Sequence, residues 1–476
     1  MRTIFINIVA LLIGTVGFSI AQSSNVSSRA GSEIIHTIRK EKLDLILPSA
    51  MRENNIDMWI HVIRPGNPDP LAKEFGSASG YLIFTDRGGD RIERAVFGSG
   101  HPDFFDIFGS REVSMAINGY NYGNLPPGVY DEITEFVAER NPQTIAVNTS
   151  EWLGIADGIS HSQYLKLEKI LGAKYSSRIV SAEYLITDFR DQRVMSEINA
   201  FSHALEMQRQ LLERSLSPEV ITPGKTSLGE VGWWLQEEIH KKDLADGYPT
   251  WVSIPRVLYS ANGERKADPD VRWFIHHEDY VIQPGDLIAF DHNVSYLDYF
   301  KTDYKRYCYV MKEGETEVPE FIQSFFDRAV DAREIIRANI KVGMTAKETL
   351  DAIVAAMEAE GYVYTPFIDI GTEDYKMVQK VLGKTDNWGF SIDLHSLGIN
   401  TGSLVTVGPS VAPFRKDRWP LTIKENHFFA FEYMIHTNID ERPGYPLCIN
   451  IEDDYIVTSM GVEPLHPPAE KLLIIR

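Results

Sequence analysis

The sequence predicts an α/β protein built from two domains, and three observations support this prediction. Its 476 residues exceed the length of one ordinary domain. In the first part of the chain, short apolar stretches of strand type alternate with segments of helical periodicity, as in α/β domains. Further on, a long helix followed by a glycine turn and a second, capped helix occurs twice, which suggests a duplicated half. We therefore expect an N-terminal α/β domain at 22–189 and a pseudo-twofold α+β domain at 190–476.

The first 21 residues have the pattern of a secretory signal peptide. Arg2 precedes an apolar run from Ile4 to Phe18, and the small residues at 19–21 (Ser-Ile-Ala) suit a cleavage site. Cleavage is expected before Gln22, which would make the mature protein secreted or periplasmic. An uncleaved anchor is the alternative, although the run is short for a membrane-spanning helix.

Composition and charge restrict the classes of function. The chain is 43% apolar and 24% charged, as in a soluble globular protein. Its formal net charge of −20 argues against binding to nucleic acid or to an anionic membrane surface. The two cysteines, Cys308 and Cys448, fall in predicted core strands, where two buried thiols are expected; whether they pair is left open.

Within the N-terminal domain, one amphipathic segment and several strands can be placed. A helix is predicted at 38–51, and Gly88-Gly89 is a good turn between the second and third strands. The predicted strands are 57–62, 81–85, 95–98 and 144–148.

The second domain contains the repeated unit of helix, glycine turn and capped helix. Ser227 and Glu230 form a capping-box pattern after a Pro-Gly turn, and Thr345 and Glu348 form another after a Val-Gly turn. A long amphipathic helix precedes each unit. Two such units predict two related halves.

Five residues in the last third of the chain are the candidates for function. Each lies in or beside an apolar stretch of strand type, where an ionised carboxylate is costly to bury without a partner and a metal ion is a strong one. Four carboxylates and one imidazole form an oxygen-rich set that suits divalent metal ions. Taken singly, each has an ordinary explanation as a turn residue or a core histidine, but the ordered set favours a metal site. The five are Asp291, Asp303, His395, Glu432 and Glu452.

These segments resemble the motifs of the pita-bread metallopeptidases, the family of aminopeptidase P, prolidase and methionine aminopeptidase. Gly285 to Arg306 is similar to that family's Gly-Asp-apolar-Asp and Ser/Thr-Asp-x-x-Arg motifs, and Leu394 to Gly398 to its His-x-x-Gly loop. Ala430 to Glu432 and Ile449 to Asp454 are similar to its two glutamate strands. The resemblance covers roughly 190–476, and the preceding domain resembles the creatinase-type amino-terminal domain.

The resemblance implies a binuclear metal centre. Asp291 and Asp303 would bind one ion, His395 and Glu432 would complete the shell of a second, and Asp303 and Glu452 would be shared between them. Two such ions lower the pKa of a water between them and polarise the scissile carbonyl. Glu432 would exchange protons with that water and the leaving amine. Mn²⁺, Co²⁺ and Zn²⁺ all suit this donor set.

Other positions bear on substrate recognition. The resemblance implies that His276, or alternatively His277, contacts substrate or transition state, whereas Arg306 is interpreted as a buried partner of an acidic residue. The chain departs from the family at Gly402, where a second histidine is usual, and at Asn450, where proline-specific members carry arginine.

The implied function is an exported peptidase that hydrolyses bonds near the amino terminus of short peptides, similar to an Xaa-Pro aminopeptidase or dipeptidase. A homodimer is possible by resemblance alone. Two alternatives stay open at this point: a pita-bread binding protein without catalysis, and a creatinase-like C–N hydrolase that uses no metal.

Overall fold

The structure of the chain, a computed structural model, describes most of the sequence between residue 28 and the C-terminus. The described residues are 28–65, 69–119, 128–242, 244–246, 252–261, 275–366, 380, 382, 387–399, 407–439 and 446–476. The predicted signal peptide at 1–21 and the departure at Gly402 lie outside them. Among the described residues, no helix combines the length and the apolar character that crossing a bilayer requires.

One six-stranded sheet flanked by helices forms the N-terminal half. Its strands are β1 (Met58–Ile63), β2 (Ser79–Thr85), β3 (Glu93–Ser99), β4 (Ile107–Phe108), β5 (Ile145–Val147) and β6 (Ile179–Ser181). The helices are α1 (Ser28–Glu41), α2 (Leu47–Glu53), α3 (Arg111–Asn118), α4 (Asp131–Arg140), α5 (His161–Ser176) and α6 (Glu183–Asp191). The strand order is β4-β3-β2-β1-β5-β6, in which β1, β2 and β3 are antiparallel neighbours and the other pairs are parallel. The predicted strands are confirmed to within two residues, while the helical region predicted at 38–51 already begins at Ser28.

Both faces of this sheet are buried, and the two-residue alternation of β1 shows why. Trp59 points to one face, where it belongs to a cluster with Met51 of α2 and Phe189 of α6. Ile60 points to the other face, in a cluster with Phe136 of α4. Every residue of β1 is buried, as expected for a central strand covered by helices on both sides.

In the C-terminal half, the described residues form four long helices and three sheets. The helices are α7 (Met195–Ser215), α8 (Leu228–His240), α9 (Glu320–Ala338) and α10 (Ala346–Ala359). The strands are β7 (Ala245–Asp246), β8 (Arg256–Ser260), β9 (Asp286–His292), β10 (Val294–Tyr296), β11 (Phe300–Lys301), β12 (Tyr304–Val310), β13 (Tyr362–Tyr364), β14 (Trp388–Ser396), β15 (Ser410–Val411), β16 (Phe428–Thr437), β17 (Leu447–Ile451), β18 (Asp454–Thr458), β19 (Gly461–Pro464) and β20 (Leu473–Ile475). The sheets have the orders β11-β10-β7, β20-β12-β9-β8 and β13-β14-β16-β18-β19, with β15 paired to β14 and β17 to β16.

Both predicted capping boxes are confirmed. The Ser227 side chain accepts from Glu230 N at the start of α8, and the Glu230 carboxylate accepts from Ser227 N in return. Thr345 and Glu348 make the same reciprocal pair at the start of α10. Each box satisfies backbone donors that a helix N-terminus otherwise leaves open.

The turns before these helices repeat as well, which supports the predicted pseudo-twofold arrangement. Gly224 and Gly343 both adopt left-handed φ angles, +75° and +91°. Gly224 N donates to Ile282 O at 2.7 Å, and Gly343 N donates to Ile423 O at 2.9 Å. Ile282 and Ile423 lie just before β9 and β16, so each unit holds the approach to a strand that carries a candidate ligand.

The first helix packs on the C-terminal half. Ile35 and Ile38 of α1 belong to one apolar cluster with Phe201 of α7. Next to this contact, the buried Lys42 Nζ lies 3.4 Å from a carboxylate oxygen of Glu197. Residues 28–42 therefore contribute to the core that supports the second domain.

The two thiols are buried, as expected from the sequence. Cys308 lies in β12 and Cys448 in β17, which belong to different sheets. No disulfide joins the two residues. Burial raises the pKa of the Cys308 thiol above its ordinary value, which makes this thiol a poor nucleophile.

Buried His436 in β16 makes fold stability depend on pH. Its Nε2 lies 2.8 Å from Thr365 Oγ1, and burial lowers the pKa of His436 to about 3. Because an unfolded histidine titrates near ~6.5, the unfolded chain binds more protons between these two values. The stability that His436 contributes is therefore fully present above the unfolded value and is lost as the pH falls toward 3.

We expect His436→Gln to weaken the dependence of the unfolding free energy on pH in the acid range. Between pH 7 and pH 4 the variant should lose about 2 kcal/mol less of its unfolding free energy than the parent protein does. Urea unfolding at a series of pH values measures this difference, and the exposed His240→Gln in α8 is the matched control. Parallel stability curves for parent and His436→Gln would contradict the role given to burial.

Candidate metal centre

The first two candidate carboxylates lie on a pair of antiparallel strands. Asp291 of β9 is directly opposite Lys305 of β12, and Asp303 immediately precedes β12. Side chains directly opposite each other on such strands lie on the same face of the sheet. The sequence therefore correctly predicts that Asp291 and Asp303 come together at one end of a strand pair.

Three neighbouring strands of the seven-stranded sheet bring the next residues together. Asp393 of β14 is directly opposite Glu432 of β16. On the other side of β16, Tyr433 is opposite Ile451, so Glu452 follows β17 next to Glu432. His395 lies two residues after Asp393 and shares its face of β14.

The two sheets meet at this point. Lys305 N donates to Glu452 O at 3.0 Å, and Asp303 N donates to a carboxylate oxygen of Asp454 at 3.1 Å. These bonds tie the start of β12 to the turn between β17 and β18. All five predicted residues consequently belong to one connected cluster.

Three members of the cluster have the geometry of a metal-binding group. One ligand atom from each of Asp303, His395 and Glu452 lies within 4.8 Å of the others. His395 Nδ1 lies 3.3 Å from Ser396 O, and Nε2 lies 3.9 Å from Glu432 and 4.0 Å from Glu452. A proton on Nδ1 leaves the Nε2 lone pair available to a metal ion.

Lys305 also lies inside the cluster, and our sequence prediction did not include it. Its side chain is buried, with Nζ 2.7 Å from Glu432 Oε1, 2.5 Å from Glu452 Oε2 and 3.5 Å from Asp291 Oδ2. Asp291 and Glu432, both predicted metal ligands, therefore have a cationic partner from the chain itself. Their direct binding to metal stays a prediction.

Two carboxyl groups of the cluster hold their protons more tightly than usual. Burial, reinforced by the charge of Asp291, raises the pKa of Asp303 to about 8. Burial and the neighbouring Asp303 raise the pKa of Glu452 well above its ordinary value. At both groups, burial and the neighbouring carboxylates outweigh the attraction of Lys305, and a bound cation would favour the ionised forms.

The pKa values of Glu432, Lys305 and His395, the other members of the cluster, are shifted so that Glu432 and Lys305 are charged and His395 is neutral near pH 7. Burial would raise the pKa of Glu432, but Lys305 and His395 lower it to about 2. Burial would lower the pKa of Lys305, but Asp291, Glu432 and Glu452 raise it well above its ordinary value. Burial lowers the pKa of His395 to about 4, so its imidazole is neutral near pH 7.

Three further charged residues surround the cluster without having been predicted. Arg256 of β8 lies 3.3 Å from Asp291, and the Arg415 guanidinium donates to Asp393. Both Asp393 and Lys305 stand two residues from a predicted ligand on the same strand face, which is the signal that could have identified them. Arg256 and Arg415 have no such local signal.

The remaining predicted positions are placed as follows. His276 is partly buried and follows Ile275, which pairs with Val257 of β8; its contact with substrate stays a prediction. Asn450 Nδ2 donates to Glu432 Oε1 at 2.7 Å. Arg306 Nη1 donates to the buried Asp453 at 2.7 Å, which confirms its structural interpretation.

The donor set of the three-residue group fits a divalent transition-metal ion. Two carboxylates and one neutral imidazole with a free Nε2 are ligands that Mn²⁺, Co²⁺ and Zn²⁺ accept. The raised pKa values of Asp303 and Glu452 agree with a position meant for a cation. Asp303, His395 and Glu452 are thus the residues that would hold such an ion.

Solved structures of several peptidases are similar to this chain in fold. The X-Pro aminopeptidase from Thermotoga maritima MSB8 matches with a TM-score of 0.55 at 15% identity, covering 90% of this chain and 99% of that chain. The Xaa-Pro dipeptidase from Bacillus anthracis matches with a TM-score of 0.51 at 18% identity, over 93% and 99%. A dipeptidase from Pyrococcus horikoshii OT3 matches with a TM-score of 0.51 at 16% identity, over 92% and 100%. At these identities the similarity shows the fold, and it confirms a pita-bread domain behind a creatinase-like N-terminal domain.

Sequence comparison identifies the family. No curated protein sequence matches the chain significantly. The sequence profile of metallopeptidase family M24, however, matches residues 199–459, more than half of the 476 residues. The matched region contains every residue of the cluster, from Arg256 to Glu452. The protein therefore belongs to metallopeptidase family M24.

Proposed function

We propose that the protein is an exported metallopeptidase that cleaves short peptides near the amino terminus, with a preference for Xaa-Pro bonds. One observation carries the proposal: Asp303, His395 and Glu452 converge within 4.8 Å beside the carboxylate of Glu432. Amide hydrolysis requires an electrophile for the carbonyl, an activated water and a proton carrier.

The metal would act on the carbonyl and the water, and Glu432 would transfer the proton. A divalent ion held by Asp303, His395 and Glu452 would polarise the carbonyl and acidify the attacking water. Glu432 Oε1 accepts from Lys305 and Asn450, each at 2.7 Å, which holds the carboxylate in one orientation. Its Oε2, 3.9 Å from His395 Nε2, is then the atom that takes a proton from water and returns it to the leaving amine.

The preference for proline rests on the activities of the structural neighbours and on the resemblance of the motifs. Asn450 donates to Glu432 and so orients the proton carrier, at a position where proline-specific members of the family usually carry arginine. A preference for Xaa-Pro bonds is consequently the part of the proposal that a substrate panel tests most directly. Whether the enzyme acts as an aminopeptidase or a dipeptidase is decided by the same panel.

The proposal also includes export of the protein, a homodimer and a divalent transition metal. Export rests on the signal-peptide pattern at 1–21, and a homodimer rests on the resemblance alone. Mn²⁺, Co²⁺ and Zn²⁺ are equally compatible with the donor set. The sequence predicts two ions, and their number is the subject of the next subsection.

Lys305 gives one specific reason to test a second candidate function. An ammonium group already neutralises part of the carboxylate cluster, as a creatinase-like hydrolase without metal would require. The three-residue group argues against it, because Lys305 alone does not offset burial and the neighbouring carboxylates, and the pKa values of Asp303 and Glu452 stay raised. Cleavage that survives removal of all metal would favour this alternative.

The decisive experiment is a panel of matched peptides. Tripeptides with proline or alanine in second position, the corresponding dipeptides and amino-terminally acetylated forms are incubated with the purified protein. We expect kcat/KM for proline peptides to exceed that for alanine peptides at least about tenfold, equivalent to ~1.4 kcal/mol, and a chelator to abolish cleavage.

The other outcomes separate the parts of the proposal. Equal cleavage of proline and alanine peptides would remove the Xaa-Pro preference and leave the peptidase. Cleavage of acetylated peptides would show that a free amino terminus is not required. No cleavage of any peptide by metal-loaded protein would instead support a binding protein.

A further inference from the structure

Cationic side chains lie among the carboxylates of the cluster. Among the described residues, its ion pairs and its metal-binding group include five carboxylates (Asp291, Asp303, Asp393, Glu432 and Glu452) and three cations (Arg256, Lys305 and Arg415). Lys301 and Asp454 also interact with Asp303, and their opposite formal charges cancel. Formally this leaves an excess of two negative charges. His395 adds no charge when its imidazole is neutral.

We propose that the site binds one divalent metal ion and that the Lys305 ammonium takes the place of a second. The ion would be held by Asp303, His395 and Glu452. Lys305 would hold Asp291 and Glu432 and share Glu452 with the ion. This inference rests on the proposed function, because it specifies the metal content of the same site.

Charge balance is the first argument. One divalent ion neutralises the excess of two negative charges, whereas two ions would leave the buried cluster with two excess positive charges. Each uncompensated ion in a protein interior costs several kcal/mol even after relaxation. The formal charge of the surrounding residues is therefore balanced by one divalent ion and not by two.

Position is the second argument. Lys305 stands opposite Asp291 in the strand pair, and its backbone N–H is bonded to Glu452 O at 3.0 Å. Strand pairing on both sides fixes the direction of its Cβ, and the residue is only 3% exposed. Its ammonium lies among the carboxylates of Asp291, Glu432 and Glu452, which pair with it there.

Ligand supply is the third argument. A second ion would need Asp291 and Glu432, yet Lys305 Nζ lies 2.7 Å from Glu432 and 3.5 Å from Asp291. Two ions of a binuclear centre lie about 3.5–4 Å apart and share bridging oxygens. Since the ammonium lies between the oxygens that such a second ion would bind, the two cations exclude each other.

Metal stoichiometry tests the proposal without reference to activity. The protein is freed of metal with a chelator and then titrated with Mn²⁺, using calorimetry, elemental analysis and electron paramagnetic resonance. We expect one equivalent per chain and the hyperfine pattern of isolated Mn²⁺. Lys305→Thr should bind a second equivalent and show the broadened signal of a coupled pair.

Two variants serve as controls. Lys305→Arg keeps the positive charge and should stay at one equivalent, while Lys347→Thr, on the surface of α10, should behave as the parent protein does. If Lys305→Thr does not fold, the parent stoichiometry and Lys305→Arg still decide the question. Two equivalents in the parent protein, none at all, or a single equivalent in folded Lys305→Thr would each overturn the proposal.

The test is independent of peptide cleavage. A parent protein that binds one ion but cleaves no peptide would leave the single-ion inference standing and refute the proposed function. A parent protein that cleaves peptides with two bound ions would do the reverse.

Discussion

Replacing Asp303 by asparagine is expected to lower kcat/KM by roughly 1000-fold, equivalent to about 4 kcal/mol of transition-state stabilisation. Asp303 supplies one of three ligand atoms that lie within 4.8 Å of each other, and an amide oxygen is a weaker, uncharged ligand. In the proposed mechanism, the ion that would be lost with this carboxylate would supply both the polarisation of the carbonyl and the activation of water. Peptide kinetics and metal analysis on the same preparation measure the two losses together.

The matched control for Asp303→Asn is Asp298→Asn on the neighbouring loop. Asp298 is exposed and pairs with Lys73 on the surface, so its substitution should leave both metal content and kinetics unchanged. Thermal unfolding of the metal-free proteins shows whether Asp303→Asn still folds. Full activity in Asp303→Asn, with its metal retained, would remove Asp303 from the site.

Replacing Asp453 by alanine should destabilise the fold by about 3–5 kcal/mol, because it leaves a buried guanidinium without its main anion. Arg306 Nη1 donates to Asp453 Oδ1 at 2.7 Å, and Ala469 N donates to the other carboxylate oxygen at 3.1 Å. Both members of the ion pair are almost fully buried. Since Asp453 directly follows Glu452, this pair also anchors one of the metal ligands.

Denaturant unfolding measures that loss, and Asp351→Ala provides the matched comparison. Asp351 pairs with Lys347 on the exposed face of α10, where such a pair contributes about 0.5 kcal/mol or less. A similar, small change in both variants would mean that the Arg306–Asp453 pair is not what holds the turn between β17 and β18.

Sequence patterns predicted much of the fold because the relevant signals are local. Four of the six strands of the N-terminal sheet, the two capping boxes and the burial of both cysteines were predicted from residues within one element, whereas the short strands β4 and β6 were not predicted. The first helix shows where such prediction ends. Its apolar residues Ile35 and Ile38 pack on α7, a partner about 160 residues away that no local pattern identifies.

The site divides in the same way. Carboxylates in or beside apolar strands, taken as an ordered set that resembles the family's motifs, predicted Asp291, Asp303, Glu432 and Glu452, and the structure brings them into one cluster. Lys305 was not predicted, since a lysine near a strand end ordinarily extends into solvent. Asp393 was also missed, although it is a carboxylate within an apolar strand and shares a strand face with His395.

The sequence by itself predicted the family of fold and the carboxylates and histidine that the structure brings together. Both predictions depend on local motifs that resemble the family's and on residue types that are unusual for their local setting. Only the tertiary structure decided how charge is balanced inside that group. Lys305, Arg256 and Arg415 reach it from three separate segments, and electrostatic energy depends on distances that strand pairing sets between residues far apart in the chain.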